Sequence, residues 1–308
     1  MSYIEELGKK AKAAKRIAAC ASTAMKNNAL AAIADALTEK TELIISQNKL
    51  DLENAVKNNM SAAMQDRLML NEQRIKGISD SVRKLIELED IIGSVDSGVI
   101  RPNGLKICKT RVPLGAIGII FESRPNVTVD AGTLCLKAGN AVILKGGKEA
   151  INSNKCLVGI MREAIESAGM PADTIQLVED TSRECATELM QLTGYLDVLI
   201  PRGGAGLIKA VVNNAKVPVI ETGAGNCHVY VDESADIEMA VNIADNAKTQ
   251  RPSVCNAIEG ILVHKNIADK FLPALKKKYD EHSVEIRGCE KTAAILGECV
   301  VPATDEDY

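Results

Sequence analysis

Cys255 stands in a polar turn, within the segment KTQRPSVCNA that runs from Lys248 to Ala257. A cysteine is a strong nucleophile only as the thiolate, which a helix N-terminus or a nearby cation promotes. Arg251, four residues earlier, is the candidate cation. The alternative is a small buried hydrophobic residue, which is the ordinary role of a free cysteine. We therefore treat Cys255 as the candidate nucleophile.

A second cysteine, Cys227, adjoins His228 and suggests a protease-like dyad. Neighbouring residues on a strand point to opposite faces, so this pair is not favoured as a dyad.

The segment FESRPNVTVD follows a predicted strand and contains Arg124, Pro125 and Asn126. An asparagine amide at this place can donate a hydrogen bond to a developing oxyanion. The alternative is a turn, because Pro-Asn is common turn chemistry.

Two further segments combine features that favour phosphate. Lys145 ends a predicted strand, and Lys148 follows after two glycines. Gly203, Gly204 and Gly206 lie between a strand and a helix, where backbone N–H groups can approach a pyrophosphate. The alternatives are solvated lysines in the first segment and a tight crossover in the second. Neither segment is the GxGxxG fingerprint.

The composition excludes several classes of protein. The net charge is −4, and there are two Phe, five Tyr and no Trp, so a nucleic-acid surface is not expected. We see no signal peptide and no apolar stretch long enough for a membrane span. Nine cysteines without a Cys-x-x-Cys pair or clustered His argue against disulfides and against a metal site. We expect reduced thiols and a cytoplasmic protein.

The first ninety residues read as helices, and an Asn-Gly pair between β-branched runs predicts a hairpin near residues 99–112. Apolar strands then alternate with helices, which predicts an α/β fold with a parallel sheet covered on both faces. Ligands in such sheets bind at the carboxyl ends of the strands. The predicted strands are 115–121, 141–147, 174–179, 195–200 and 217–222.

The order of these segments resembles the aldehyde dehydrogenase superfamily, which implies a Rossmann-type parallel sheet domain. The sequences of the segments are more specific than their order. They are similar to those of the gamma-glutamyl phosphate reductases over essentially all 308 residues. The segments that carry the resemblance are RVPLGAIGIIFESRPNVTVD, KAGNAVILKGGKEA, DVLIPRGGAGL, ETGAGNCHVYVDES and NAKTQRPSVCN.

The resemblance assigns a role to each candidate residue. It implies that Cys255 is the catalytic thiol and that Asn126 forms the oxyanion hole with the backbone N–H of that cysteine. It also implies that Lys145 contacts the adenosine ribose and that the glycines at 203, 204 and 206 lie beside the pyrophosphate. NAD-preferring relatives place a glutamate where this chain has Lys148, so we expect NADP(H) as the cofactor.

The implied reaction is the NADPH-dependent reduction of L-glutamyl 5-phosphate to L-glutamate 5-semialdehyde and phosphate, in proline biosynthesis, through a Cys255 thioester. Arg124 and Arg251 are our hypothesis for phosphate binding, because guanidinium groups bind phosphate bidentately. Glu221 aligns roughly with a water-activating glutamate of hydrolytic relatives, and we do not count it as catalytic.

The expected domains are an NADP-binding domain over 1–222, with the hairpin as an oligomerisation arm, and a partial catalytic domain over 223–308. Family members continue past Tyr308, so we expect the C-terminal part to be absent. Full-length relatives imply a homo-oligomer. Two alternatives stay open: a CoA-acylating aldehyde dehydrogenase, and an inactive truncated fragment that binds NADP.

Overall fold

The chain folds as two units, residues 1–222 and 223–308, in a computed structural model. The structure describes residues 2–122, 124–223, 225–252 and 254–307. The two units have separate hydrophobic cores. The cofactor-binding and catalytic roles given to these two ranges stay predictions.

Five helices form the first part of the chain, and side-chain caps set where most of them begin. Ser2, Ser22, Ser61 and Asn71 each accept a hydrogen bond from a backbone N–H in the first turn of the helix that follows. The cap at Ser22 begins the second of these helices, two residues after the first one ends. The helices are α1 (Tyr3–Cys20), α2 (Thr23–Glu39), α3 (Thr41–Lys57), α4 (Ala62–Leu68) and α5 (Glu72–Glu87).

The predicted hairpin is confirmed, as antiparallel strands β1 (Val95–Ile100) and β2 (Lys106–Thr110). Gly104 has a φ of +85° and donates its N–H to the carbonyl of Arg101, which closes the turn. Every residue of both strands is exposed. The hairpin is therefore a ribbon without a buried face.

A four-stranded parallel sheet follows, in the order β5-β4-β3-β6. Alternate residues of β3 and β4 pack into two different clusters, so helices cover both faces, as predicted. The strands are β3 (Ala116–Phe121), β4 (Ala141–Lys145), β5 (Ile175–Leu177) and β6 (Val198–Arg202). The helices are α6 (Pro125–Lys137), α7 (Ile151–Ser167), α8 (Arg183–Met190) and α9 (Ala205–Asn214), with short 3-10 helices at Lys148–Ala150 and Ala172–Thr174.

The predicted fifth strand at 217–222 is wrong as a strand. Leu199 donates to the carbonyl of Pro218 and accepts from the N–H of Ile220, which makes one isolated bridge at Val219. Pro218 has no N–H to continue a ladder, so the segment touches the edge of the sheet without joining it as a strand.

Asp197 fixes the amino-terminal ends of β3 and β6. Its N–H donates to the carbonyl of Ala116, and its Oδ2 accepts from the N–H of Ala116 at 2.7 Å and from Lys15 Nζ at 2.6 Å. Gly115 has a φ of +119°, and a Cβ there would lie 2.1 Å from Asp197 Oδ2. The approach of Asp197 to this strand therefore requires glycine.

The second unit pairs two parallel strands, β7 (Cys227–Val231) and β8 (Ile258–Val263), and buries Phe271 at its core. Its helices are α10 (Ile237–Thr249), α11 (Ala268–Glu281) and α12 (Glu290–Leu296), and short strands β9 (Arg287–Gly288) and β10 (Val301–Pro302) pair near its end. Two further 3-10 helices span Gly297–Cys299 and Asp305–Asp307.

Asp51 of α3 is a buried carboxylate that caps α7, which has no cap of its own from Ala150. Asp51 accepts from the backbone N–H and side-chain amide of Asn152 and from the backbone N–H and hydroxyl of Ser153. These four bonds satisfy the carboxylate and orphan donors of the helix start. They hold the first turn of α7, which directly follows the segment containing Lys145 and Lys148.

We expect Asp51→Ala to lower the free energy of unfolding by about 2–4 kcal/mol, because it leaves buried donors at the start of α7 without an acceptor. Urea denaturation measures this change. The control is Asp35→Ala, since Asp35 forms an exposed pair with Arg83, and it should cost no more than about 1 kcal/mol. Equal losses in the two variants would contradict the capping role of Asp51.

Candidate active site

Three of the predicted segments meet at one edge of the parallel sheet. Ile120 pairs with Lys145, and Phe121 pairs with Arg202, so β3, β4 and β6 end side by side. The chain passes from β3 through α6 to β4 and β5 on one side, and returns through α8 to β6 on the other side of β3, which makes a crevice of the kind that binds ligands in open α/β sheets. The segments at this edge are 122–126, 145–148 and 203–206.

Lys145 is buried at this edge, with 6% of its surface exposed. Among the described residues, its ammonium makes one hydrogen bond, to the carbonyl of Gly146 at 3.4 Å. Burial lowers the pKa of the Lys145 ammonium, and the nearby groups of Cys185, Asp180 and Glu149 oppose this change. An ammonium has three donors, so Lys145 retains donors for a ligand. Lys148 is exposed and begins the short 3-10 helix.

The glycines at this edge allow close approaches that a larger residue would prevent. A Cβ at Gly146 would lie 2.2 Å from Asn154 Nδ2, and a Cβ at Gly203 would lie 2.7 Å from the carboxyl carbon of Glu122. At Gly206, by contrast, a Cβ would meet no described atom within 4 Å. These close approaches therefore require glycine at Gly146 and Gly203.

Glu122 is a residue of this edge that the sequence analysis missed. Its Oε2 accepts a hydrogen bond of 3.0 Å from the N–H of Gly204, the residue that precedes α9. The start of a helix attracts negative charge, because its first N–H groups have no partner within the helix. The glycine turn therefore binds a carboxylate in this structure, through the same N–H that was assigned to a pyrophosphate.

Asn126 lies in a helix and not in a loop. The predicted helix begins near Asp130, whereas α6 begins at Pro125, five residues earlier. Proline is favourable at the first helical position because its missing N–H would have had no partner there. Arg124 is the residue before the helix and is exposed. Asn126 Nδ2 donates to Asp130 Oδ2 at 3.0 Å, one helical turn on.

The helix spacing of Asn126 and Asp130 was a signal that the sequence analysis missed. Residues four apart on a helix are neighbours. Had the helix been placed from Pro125, the carboxylate would have been expected beside the candidate oxyanion donor.

Cys255 lies in the second unit, between the end of α10 at Thr249 and the start of β8 at Ile258. It is exposed, and its segment is a succession of turns in which Val254 donates to the carbonyl of Arg251. Cys255 therefore does not lie at a helix N-terminus, and Arg251 lies in the same succession of turns. Ser123 and Ser253, from the two Arg-Pro segments, lie outside the described residues.

The thiol of Cys227 donates to the carbonyl of Cys255 at 3.6 Å. Cys227 is half-buried and His228 is exposed, in the alternation expected along a strand. The ring of His228 lies against Gly260, where a Cβ would come within 2.4 Å of it. The two neighbours therefore face opposite ways, as the strand argument predicted.

The described part of the chain shows neither a metal-binding cluster nor a membrane-spanning helix. No group of three His, Cys, Asp or Glu residues there is arranged to hold a metal ion. None of the described helices combines the length and hydropathy of a membrane span.

Comparison with known proteins identifies the family. The pattern of the aldehyde dehydrogenase family matches residues 2–295. A gamma-glutamyl phosphate reductase of Clostridium perfringens is 57% identical over 301 residues, which cover 98% of this chain and 72% of that protein.

Two crystal structures of gamma-glutamyl phosphate reductases share the fold of this chain. That of Thermotoga maritima has a TM-score of 0.93 and 45% identity, and the match covers 100% of this chain and 74% of the other. That of Saccharomyces cerevisiae has a TM-score of 0.68 and 29% identity, over 97% and 78% of the two chains. The chain thus belongs to the aldehyde dehydrogenase family and, within it, to the gamma-glutamyl phosphate reductases.

Proposed function

We propose that the chain catalyses the NADPH-dependent reduction of L-glutamyl 5-phosphate to L-glutamate 5-semialdehyde and phosphate, the second step of proline biosynthesis. The observation that carries the proposal is the 57% identity to a curated gamma-glutamyl phosphate reductase over 98% of the chain. The three segments gathered at the sheet edge support it, because they supply a crevice with two lysines and the start of a helix.

Cys255 is the nucleophile in this proposal. Its thiolate attacks the acyl carbon of the substrate and forms a C–S bond, and the electron pair of the carbonyl moves to its oxygen. When the electron pair on the oxyanion re-forms the carbonyl, the bond between the acyl carbon and the phosphate oxygen breaks, and phosphate leaves with the electron pair of that bond. The product is a thioester at Cys255, which divides one difficult reduction into two easier steps.

Asn126 stabilises the tetrahedral intermediate in this proposal. Its side-chain N–H donates to the oxyanion, and the backbone N–H of Cys255 is the second donor implied by the family resemblance. Removal of one such donor typically raises the barrier by about 2.7–4 kcal/mol.

The sheet edge of the first unit has the properties of an NADP(H) site. Lys145 has ammonium donors to spare for ribose hydroxyls, and the N–H of Gly204 already binds an anionic group, the carboxylate of Glu122. Lys148 is an exposed cation at the position that selects between the cofactors, and a lysine there favours a 2′-phosphate. When bound, the nicotinamide supplies the hydride that reduces the thioester to the aldehyde.

Arg124 and Arg251 are assigned to the phosphate of the substrate, singly or together. Both are exposed, and neither forms an ion pair with any described residue. A guanidinium without a carboxylate partner is available for bidentate binding of phosphate.

The β1–β2 hairpin is assigned to association with further copies of the chain, as in full-length relatives. Its large apolar side chains are exposed, including Val99 at 50% and Ile100 at 67%. We also assign the reaction to the cytoplasm, where the nine cysteines would stay reduced. No observation favours the CoA-acylating alternative.

The proposed function is tested by the reverse reaction. With glutamate 5-semialdehyde, phosphate and NADP, the chain should form NADPH in a phosphate-dependent manner, and Cys255→Ala should abolish this activity because no thioester can form. Absorbance of NADPH measures the rate. Cys20→Ala is the control, since Cys20 is also exposed and has no assigned role. Activity that survives in Cys255→Ala would refute the mechanism, and NADPH formation without phosphate would refute the reaction.

Arg124→Ala and Arg251→Ala test the phosphate site. We expect at least one variant to raise the KM for phosphate by about tenfold or more, since a charge-assisted hydrogen bond contributes about 1.5–3 kcal/mol, while the KM for NADP stays nearly constant. Arg16→Ala, which removes an exposed arginine of α1, is the control. Equal changes in both KM values would show that the arginines only maintain the local structure.

Lys148→Ala tests the choice of cofactor. Loss of the cation should raise the KM for NADP by about tenfold and leave the KM for NAD within about twofold, because only NADP carries the 2′-phosphate. Steady-state kinetics with each cofactor measures this, and Lys76→Ala of α5 is the exposed control. A parallel rise for both cofactors would assign Lys148 to another part of the cofactor.

A further inference from the structure

We propose that Asp130 is a positioning residue that fixes the side-chain amide of Asn126, so that one N–H of this amide points constantly to the oxyanion. The proposal rests on the proposed function, in which Asn126 is an oxyanion donor. It concerns two residues of the same helix in the first unit.

The contact itself determines which way the amide faces. Asn126 Nδ2 lies 3.0 Å from Asp130 Oδ2, and an ionised carboxylate can only accept hydrogen bonds. The nitrogen of the amide must therefore face Asp130, and its oxygen must face away. Since the amide nitrogen carries two hydrogens, one remains for a second acceptor after the bond to Asp130 is made.

Without Asp130, the amide would have no such constraint. The last torsion of an asparagine side chain has a broad, roughly two-fold preference, so the amide can turn its oxygen to where its nitrogen was. An amide oxygen would repel a developing oxyanion instead of stabilising it. A donor that is oriented before the reaction requires no reorganisation free energy when the oxyanion forms.

The backbone around this pair is already held in place. The hydroxyl of Thr128, which is fully buried, donates to Asn154 Oδ1 of α7 at 2.8 Å. The hydroxyl of Thr133 bonds to the carbonyls of Val129 and Asp130. The beginning of α6 is therefore anchored, and the side chain of Asn126 is the part that still needs orientation.

Burial of the Asp130 carboxylate is unfavourable for the free energy of folding. Asp130 is half-buried, and among the described residues no Lys, Arg or His lies within ion-pair distance of its carboxylate. Burial raises the pKa of the Asp130 carboxyl, and the hydrogen bond from Asn126 opposes the rise. The folded state thus disfavours the ionised form, and one neutral partner offsets little of that cost. A role in catalysis, and not in stability, accounts for a carboxylate at this place.

A double-mutant cycle in the reverse assay tests the proposal. Asp130→Ala should lower kcat by roughly 5–20-fold, with the KM for NADP within about twofold, since it removes one orienting hydrogen bond. Asn126→Ala should lower kcat by about 100–1,000-fold. The double variant should be no slower than Asn126→Ala, because Asp130 acts only through Asn126.

Two further variants separate positioning from a structural role. Asp130→Asn should lower kcat less than Asp130→Ala does, because its carbonyl oxygen can still accept from Asn126, although its amide can also donate to a flipped Asn126. Asp130→Ala should not lower the urea midpoint of unfolding, since the buried carboxylate does not stabilise the fold. Asp66→Ala, which removes a carboxylate paired with Arg74 at the surface, is the matched control for kcat.

The outcomes that overturn the proposal differ from those that overturn the function. Unchanged kcat in Asp130→Ala, or fold-changes that multiply in the double variant, would overturn the role of Asp130 while an active, Cys255-dependent chain upholds the function. If Asp130→Ala lowers both kcat and the urea midpoint of unfolding, Asp130 has a structural role. A chain without phosphate-dependent activity would overturn both.

Discussion

Parallel pairing of β3 with β4 and with β6 is the constraint on which the candidate site depends. Parallel strands end at the same edge, so three segments far apart in the chain are brought together there, and the hydrogen bond of Gly204 to Glu122 joins two of them. The register is fixed at the opposite end of the sheet, where Asp197 bonds to Ala116 and requires glycine at Gly115. A slip of one residue in the pairing would turn the buried residues of both strands to the wrong faces. The packing of the core therefore fixes the register and, with it, the positions of the site segments.

The carboxylates of the first unit differ in whether they stabilise the fold or lie at the candidate site. Asp51 is buried, but four hydrogen bonds satisfy it, and it contributes to stability by closing the start of a helix. Asp130 is half-buried with one neutral partner, and Glu122 neutralises a helix start beside the glycine turn. Asp51 has the most partners of the three and is also the most buried, so burial stabilises the fold here only together with full hydrogen bonding.

Much of the architecture was predictable because it follows from local pattern. Apolar runs predicted β3 and β4, Asn-Gly predicted the hairpin, and the alternation of strands and helices predicted the parallel sheet. Two features had local signals that were missed: Pro125 favours a helix start, and Pro218 lacks the N–H that a strand at 217–222 would need. The bond of Glu122 to Gly204 was not predictable, because it joins residues 82 apart in the chain.

The exposed hairpin has a consequence for how the molecule opens. Neither face of β1 or β2 is buried, so separating these strands exposes little new apolar surface and costs little free energy. Amide hydrogens of this ribbon should therefore exchange with solvent through local opening. Amide hydrogens of the buried strands β3 and β4 should exchange only when the whole unit unfolds. Because Asp197 anchors β3 just beyond the hairpin, such opening ends there. A cut within the ribbon would leave the sheet and its register intact.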